Sequence, residues 1–164
     1  MASWIGNFMS IGSTITINFS NYAVNDNQIN GTNSLTYNGS DANGNWSATL
    51  ITSGTIFLAN NAGSVSWNAN LTRIQIAGAS TNNFLDDKFA ISGTADGSAS
   101  TGKNFTAEIN SPLIRDYSCI EHFTQGTIVF DTGVGPNKTL NFGNGNCDNE
   151  ITVSIAGIDY ILYL

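Results

Sequence analysis

The feature that most narrows the fold of this chain is a period of two. From Ser13 onward, apolar and small polar residues alternate, and Gly- and Asn-rich turns cut the alternation at short intervals. That is the pattern of half-buried strands. It is sharpest at the end of the sequence, where Ile151, Val153 and Ile155 alternate with Thr152 and Ser154, and Ile158, Tyr160 and Leu162 follow Ala156 and Gly157. A two-residue loop of this kind closes a tight hairpin in which glycine accepts positive φ. Pairing Ile155 with Ile158, Val153 with Tyr160 and Ile151 with Leu162 gathers all of these apolar side chains on one face. A slip of one residue would scatter them over both faces, so the pattern specifies the register. A second hairpin is predicted from residues 127–130 and 139–142, joined around Gly133, Gly135 and Pro136, which suit a turn and not a central strand. Residues 143–149 form the turn between the two hairpins and carry Cys147.

Earlier in the chain, Ile15, Ile17 and Phe19 alternate with Thr14, Thr16 and Asn18, and Leu35 and Tyr37 restart the pattern after turn residues near Asp26, Asn27, Asn30 and Gly31. Trp46, Ala48 and Leu50 alternate next. A turn at residues 52–54 would set Leu50 opposite Ile56, and one at residues 60–63 would set Leu58 opposite Val65 and Ile56 opposite Trp67. Beyond Leu71 the apolar positions move to Ile74 and Ile76, which predicts a bulge near Thr72 and Arg73. Residues 77–87 read as a loop with one helical turn at Phe84 and Leu85. Phe89 and Ile91 then pair with Phe105, Ala107 and Ile109 across a turn at 97–102, a hairpin that Pro112 ends. The expected fold is all-β: an antiparallel meander of about ten to twelve short strands. Alternation alone leaves a sandwich, a barrel and a long twisted sheet equally open. Residues 1–12 read as an N-terminal arm or edge strand, and 13–164 as a single domain, a size at which a chain buries a core.

Composition narrows the functions. Charged residues are 10% of the chain, against roughly a quarter in ordinary domains. The 41% hydrophobic content argues against disorder. With a net charge of −7 and no Lys/Arg cluster, a nucleic-acid ligand or an anionic membrane surface is not expected. No run approaches the ~20 apolar residues of a membrane helix. The first residues lack the basic segment and apolar block of a signal peptide, which leaves a cytosolic chain or an exported one whose signal segment has been removed; the low-charge composition favours the second.

The motif Phe142-Gly-Asn-Gly-Asn-Cys-Asp-Asn149, followed by alternating Thr, Val and Ile and a glycine-turn hairpin with an aromatic-rich last strand, resembles the C-terminal end of a family of uncharacterised Bacteroidetes cell-surface lipoproteins. Residues 15–22, Asn43-Gly-Asn45, Ser66-Trp-Asn68 and 91–95 fall in the order expected for it. The resemblance implies export and surface location, and supplies no catalytic residues. It would place the protein at a membrane only through a lipid anchor, and the lipid-attachment cysteine is absent from this chain. In an exported protein the two cysteines, Cys119 and Cys147, both beside turns, are expected to form a disulfide. The alternative is two buried thiols.

Candidate chemistry is sparse. Cys119, Glu121 and His122 bring together a thiol, a carboxylate and the one histidine, but in a strand His122 would point away from Cys119. Asp86 with Asp87, and Asp148 with Glu150, are the denser carboxylate groups and read as solvated loop acids. Oxygen-rich loops holding Asp41, Asn43 and Asn45, and Asp148 and Glu150, are the candidate calcium ligands; no other cofactor is expected. Trp46 and Trp67 are assigned to the core face, leaving Tyr22, Tyr117 and Tyr163 as candidate ligand-stacking residues. The leading expectation is a non-enzymatic cell-surface or secreted β domain with a structural or binding role, forming a homo-oligomer or filament by strand pairing. Only Asp159 guards the last strand, whose two faces are both apolar. The alternative is a carbohydrate-binding module that meets a glycan through exposed aromatics.

Overall fold

A computed structural model describes residues 2–5, 10–119 and 122–164. Among these, eleven strands form one antiparallel sheet in strict chain order: β1 (Ala2–Ile5), β2 (Thr14–Val24), β3 (Asn27–Ser40), β4 (Trp46–Phe57), β5 (Ser64–Ala77), β6 (Lys88–Ala99), β7 (Asn104–Asp116), β8 (Gln125–Asp131), β9 (Lys138–Asn144), β10 (Glu150–Ile155) and β11 (Ile158–Tyr163). The meander is not closed into a barrel. At about 4.8 Å per strand it spans roughly 50 Å from edge to edge.

Single cross-strand rows run the width of the sheet. One passes through Ser3, Thr16, Ser34, Ile51, Asn70, Thr94, Glu108, Val129, Thr139, Ser154 and Asp159. The adjacent row, on the other face from β2 onward, passes through Ile17, Asn33, Thr52, Ala69, Ala95, Ala107, Phe130, Lys138, Ile155 and Ile158. The polar face is laced by hydroxyl contacts such as Thr14 to Thr36 at 2.9 Å and Thr55 to Ser66 at 2.9 Å. The terminal hairpin has the register that alternation specifies, with Ile155 opposite Ile158, Val153 opposite Tyr160 and Ile151 opposite Leu162.

Several strands are longer than the sequence pattern implies. The turn after β2 is confined to Asn25 and Asp26, at φ 49° and 63°, and β3 continues straight through Asn30 and Gly31. Residues 52–54 are not a turn but lie inside β4, so Leu50 faces Leu35 and Leu71 rather than Ile56. The turn at 60–63 is present, but the pairing it sets is Ile56 with Val65 and Gly54 with Trp67, and Leu58 lies beyond the strand end. Glycine accounts for this. Gly54 lies in register with Gly31 and Trp67, and a Cβ on it would come within 2.7 Å of the Trp67 ring. Gly97 likewise sits inside β6, with Phe105 lying across it, and the hairpin turn falls later. These glycines make room for cross-strand aromatics, a use of strand glycine distinct from turning the chain.

No bulge occurs at Thr72 and Arg73. Pairing runs unbroken from Val65 to Gln75 and shifts between Gln75 and Ala77, leaving Ile74 and Ile76 exposed on the polar face. Pro112 does not end β7 either. It lies within the second of two register shifts, Ile109/Ser111 and Ser111/Ile114, and bulges are where a strand tolerates proline. The helical turn appears as a short 3-10 segment at Phe84–Asp86.

Two clusters hold the sheet. Near the C-terminal strands, buried Leu113, Phe142 and Ile151 pack with Ile91, Ile109, Phe123, Ile128, Leu140 and Val153. The second centres on Phe89, 1% exposed, against Trp46 at 5.0 Å and Tyr117 at 5.7 Å between ring centroids. Into it Arg73 places its guanidinium 3.7 Å from the Phe89 ring and donates to the Tyr117 hydroxyl at 2.8 Å. Arg73 and Gln75 thus occupy apolar-face positions: Arg73 stacks on aromatics, and buried Gln75 donates to Asp87 at 2.8 Å.

Candidate functional site

Cys119 and Cys147 form a disulfide, with their Cα atoms 5.7 Å apart. The link ties the segment after β7 to the turn between β9 and β10, so it spans β8 and β9 and anchors the end of the sheet that carries the last hairpin. Such a bond fits an oxidising compartment. His122 Nε2 lies 3.8 Å from the Cys119 sulfur, because residues 117–119 form a turn rather than a strand that would keep the two apart. With that sulfur in the disulfide, the pair holds no thiolate nucleophile. Ile120 and Glu121 lie outside the described residues.

On the polar face of this end is a trough of about 340 Å³ lined by Asn141, Asn144, Asn146, Asp148, Glu150 and Thr152. Its walls are partly held by local bonds: Asp148 accepts from the Glu150 amide at 3.2 Å, and Asn141 from the Gly143 amide at 2.9 Å. Tyr163 is the cross-strand neighbour of Glu150 and is 69% exposed. An exposed ring beside amides and carboxylates can stack on and hydrogen-bond a polar ligand.

The other candidate residues are dispersed. Tyr22, half-exposed, lies on the opposite, apolar face, in a slot of about 260 Å³ with Phe19, Ile29, Ile56 and Trp67. Its ring centroid is 5.8 Å from that of Phe19. Tyr117 belongs to the Phe89 and Arg73 cluster and serves packing. Asp41 closes the loop after β3: Oδ1 accepts from the amides of Asn43 at 2.8 Å and Asn45 at 2.9 Å, and Oδ2 from the Asn45 side chain at 3.0 Å. The Asn45 side chain, foremost, and these amides hold its carboxyl below the usual value. Asp41, Asn43 and Asn45 therefore bond one another within the turn. Among the described residues no three His, Cys, Asp or Glu side chains come together as a metal-holding group. Sequence reasoning missed the Phe19, Tyr22 and Trp67 slot, because the signal lay in the glycines opposite the aromatics, which read as turns.

At the outer edge lies β11. Every residue of it is exposed, including Ile158, Tyr160, Ile161, Leu162 and Tyr163, and it pairs with β10 alone among the described residues. Asp159 accepts a short hydrogen bond from Ser154, so the one carboxylate on the strand turns inward along the sheet rather than across the open edge. No family model, curated protein or solved structure matches this chain.

Proposed function

We propose that this chain is a non-enzymatic β domain of an exported, cell-surface or secreted protein, whose structural role is to associate with further copies through its open sheet edge. The observation that carries the reading is β11, fully exposed, apolar on both faces and unpaired on its outer side among the described residues. Unpaired edges add strands from other chains unless charge, proline or a covering segment blunts them. The disulfide supports an oxidising location. Ile161 is 56% exposed, so Ile161→Lys places a charge on the edge without touching the core. Sedimentation velocity of the wild type is expected to show species larger than two chains that Ile161→Lys removes. A wild type that never exceeds two chains at high concentration defeats edge assembly.

A second reading rests on Tyr163 beside the Asn- and carboxylate-lined trough, an arrangement suited to a sugar ring. Binding on a glycan array that Tyr163→Ala abolishes supports it, and an array without binding ends it.

A further inference from the structure

We propose that the apolar face of β2 to β5 is an interface for a second copy of this chain, packed face to face as the other layer of a two-sheet sandwich. The proposal rests on the self-associating reading above and adds a second surface, distinct from the edge.

The first argument is area. A compact monomer of 17.4 kDa is expected to expose about 7,900 Å². This chain exposes 9906 Å². The surplus over the whole open sheet, about 2,000 Å², is more than the roughly 800 Å² that each partner contributes to a standard interface. A sheet buries its hydrophobic face against another layer, yet the main contacts of each strand here are with its neighbours in the sheet. Among the described residues no second layer covers the face that carries the half-buried row Ile15, Leu35, Leu50 and Leu71, with exposed Ile17, Tyr22 and Val24 on the same face.

The second argument is charge. Across β2 to β5 the one charged residue is Arg73, already stacked on Phe89. Apart from Asp116, buried in its pair with Lys88, the strand carboxylates Asp96, Glu108, Asp131, Glu150 and Asp159 fall on the polar face. Two copies with a net charge of −7 each can therefore meet on this face with no strand carboxylates opposed, their acids directed outward. The Phe19, Tyr22 and Trp67 slot is a socket for an apolar side chain of the facing sheet. Such packing sets two sheets about 10 Å apart.

The test compares two adjacent residues on opposite faces. Size-exclusion chromatography with light scattering is expected to give Ile161→Lys, whose edge is blocked, a mass of twice 17.4 kDa. In the Ile161→Lys background, adding Ile17→Lys, at a site already 40% exposed, is expected to reduce the mass to one chain, whereas adding Thr16→Lys keeps the dimer. Should Ile17→Lys fail to fold, small-angle scattering of Ile161→Lys decides: the dimer is expected to measure about 50 Å across the strands, against about 100 Å for two chains joined edge to edge. A one-chain Ile161→Lys, a dimer that survives the addition of Ile17→Lys to it, equal loss with Thr16→Lys, or a particle about 100 Å across overturns the proposal. Loss of larger species in Ile161→Lys with the dimer intact separates this interface from edge growth.

Discussion

Replacing both cysteines, Cys119→Ala with Cys147→Ala, probes how far one covalent link stabilises an open sheet. The bridge closes a segment with a sequence separation of 28. In the loop-entropy treatment that closure is worth about 3.6 kcal/mol at 25 °C. For a chain of this size about 2–4 °C of melting temperature goes with each kcal/mol, so the double variant should melt about 7–14 °C lower. The effect should be local in origin, because the link spans β8 and β9 above the cluster of Leu113, Phe142 and Ile151. Urea unfolding followed by tryptophan fluorescence, with both proteins at one concentration so that association does not enter the comparison, measures it. Amide exchange should accelerate first in β8 to β10. A loss below about 1 kcal/mol would refute the reasoning and show that the packing alone holds this end of the sheet.

Other consequences follow from single contacts. Gly54→Val drives a side chain into Trp67, whose ring would lie 2.7 Å from the new Cβ, and is expected to cost about 1–3 kcal/mol in urea melts. Trp67→Ala in the same background should recover part of that loss; a neutral Gly54→Val would show that the aromatic does not need the glycine. Burial raises the Asp116 carboxyl, but the 2.6 Å contact with Lys88 and the hydrogen bonds from Ser118 outweigh it and hold the group below its ordinary value. Its folded value is depressed, so its contribution is present above about pH 4 and is lost as pH falls through the folded value. Asp116→Asn should lower stability at pH 7 by about 1–3 kcal/mol and flatten the acid limb of a pH-stability curve; an unchanged acid limb would contradict the assignment.

Much of this architecture is legible in the sequence because side-chain period and strand pairing are the same information on a sheet with one apolar face. The hairpin from Ile151 to Leu162 shows it, since a slip of one residue would scatter its alternating apolar residues over both faces. The misplaced turns share one cause. Gly31, Gly54 and Gly97 read as turns, but each lies within a strand, in register with Trp67 or with aromatics facing them, and no local signal tells a glycine that turns the chain from one that admits a cross-strand ring. Arg73 and Gln75 hid the continuation of β5, because a cation stacked on Phe89 looks polar in sequence while serving the apolar face. The disulfide was within reach of cysteine counting. The dispersal of Tyr22, Tyr117 and Tyr163 over three separate places was not, since it depends on which strands end up far apart.

An exposed β11 edge requires that the sheet be one open row of strands. Spin labels at positions 16 and 159, which belong to one cross-strand row nine strand spacings apart, measure this by double electron–electron resonance in protein diluted with unlabelled chain. An open meander predicts a separation of about 40 Å. A distance below about 15 Å would mean that β2 and β11 meet, and would contradict an open edge and everything argued from it.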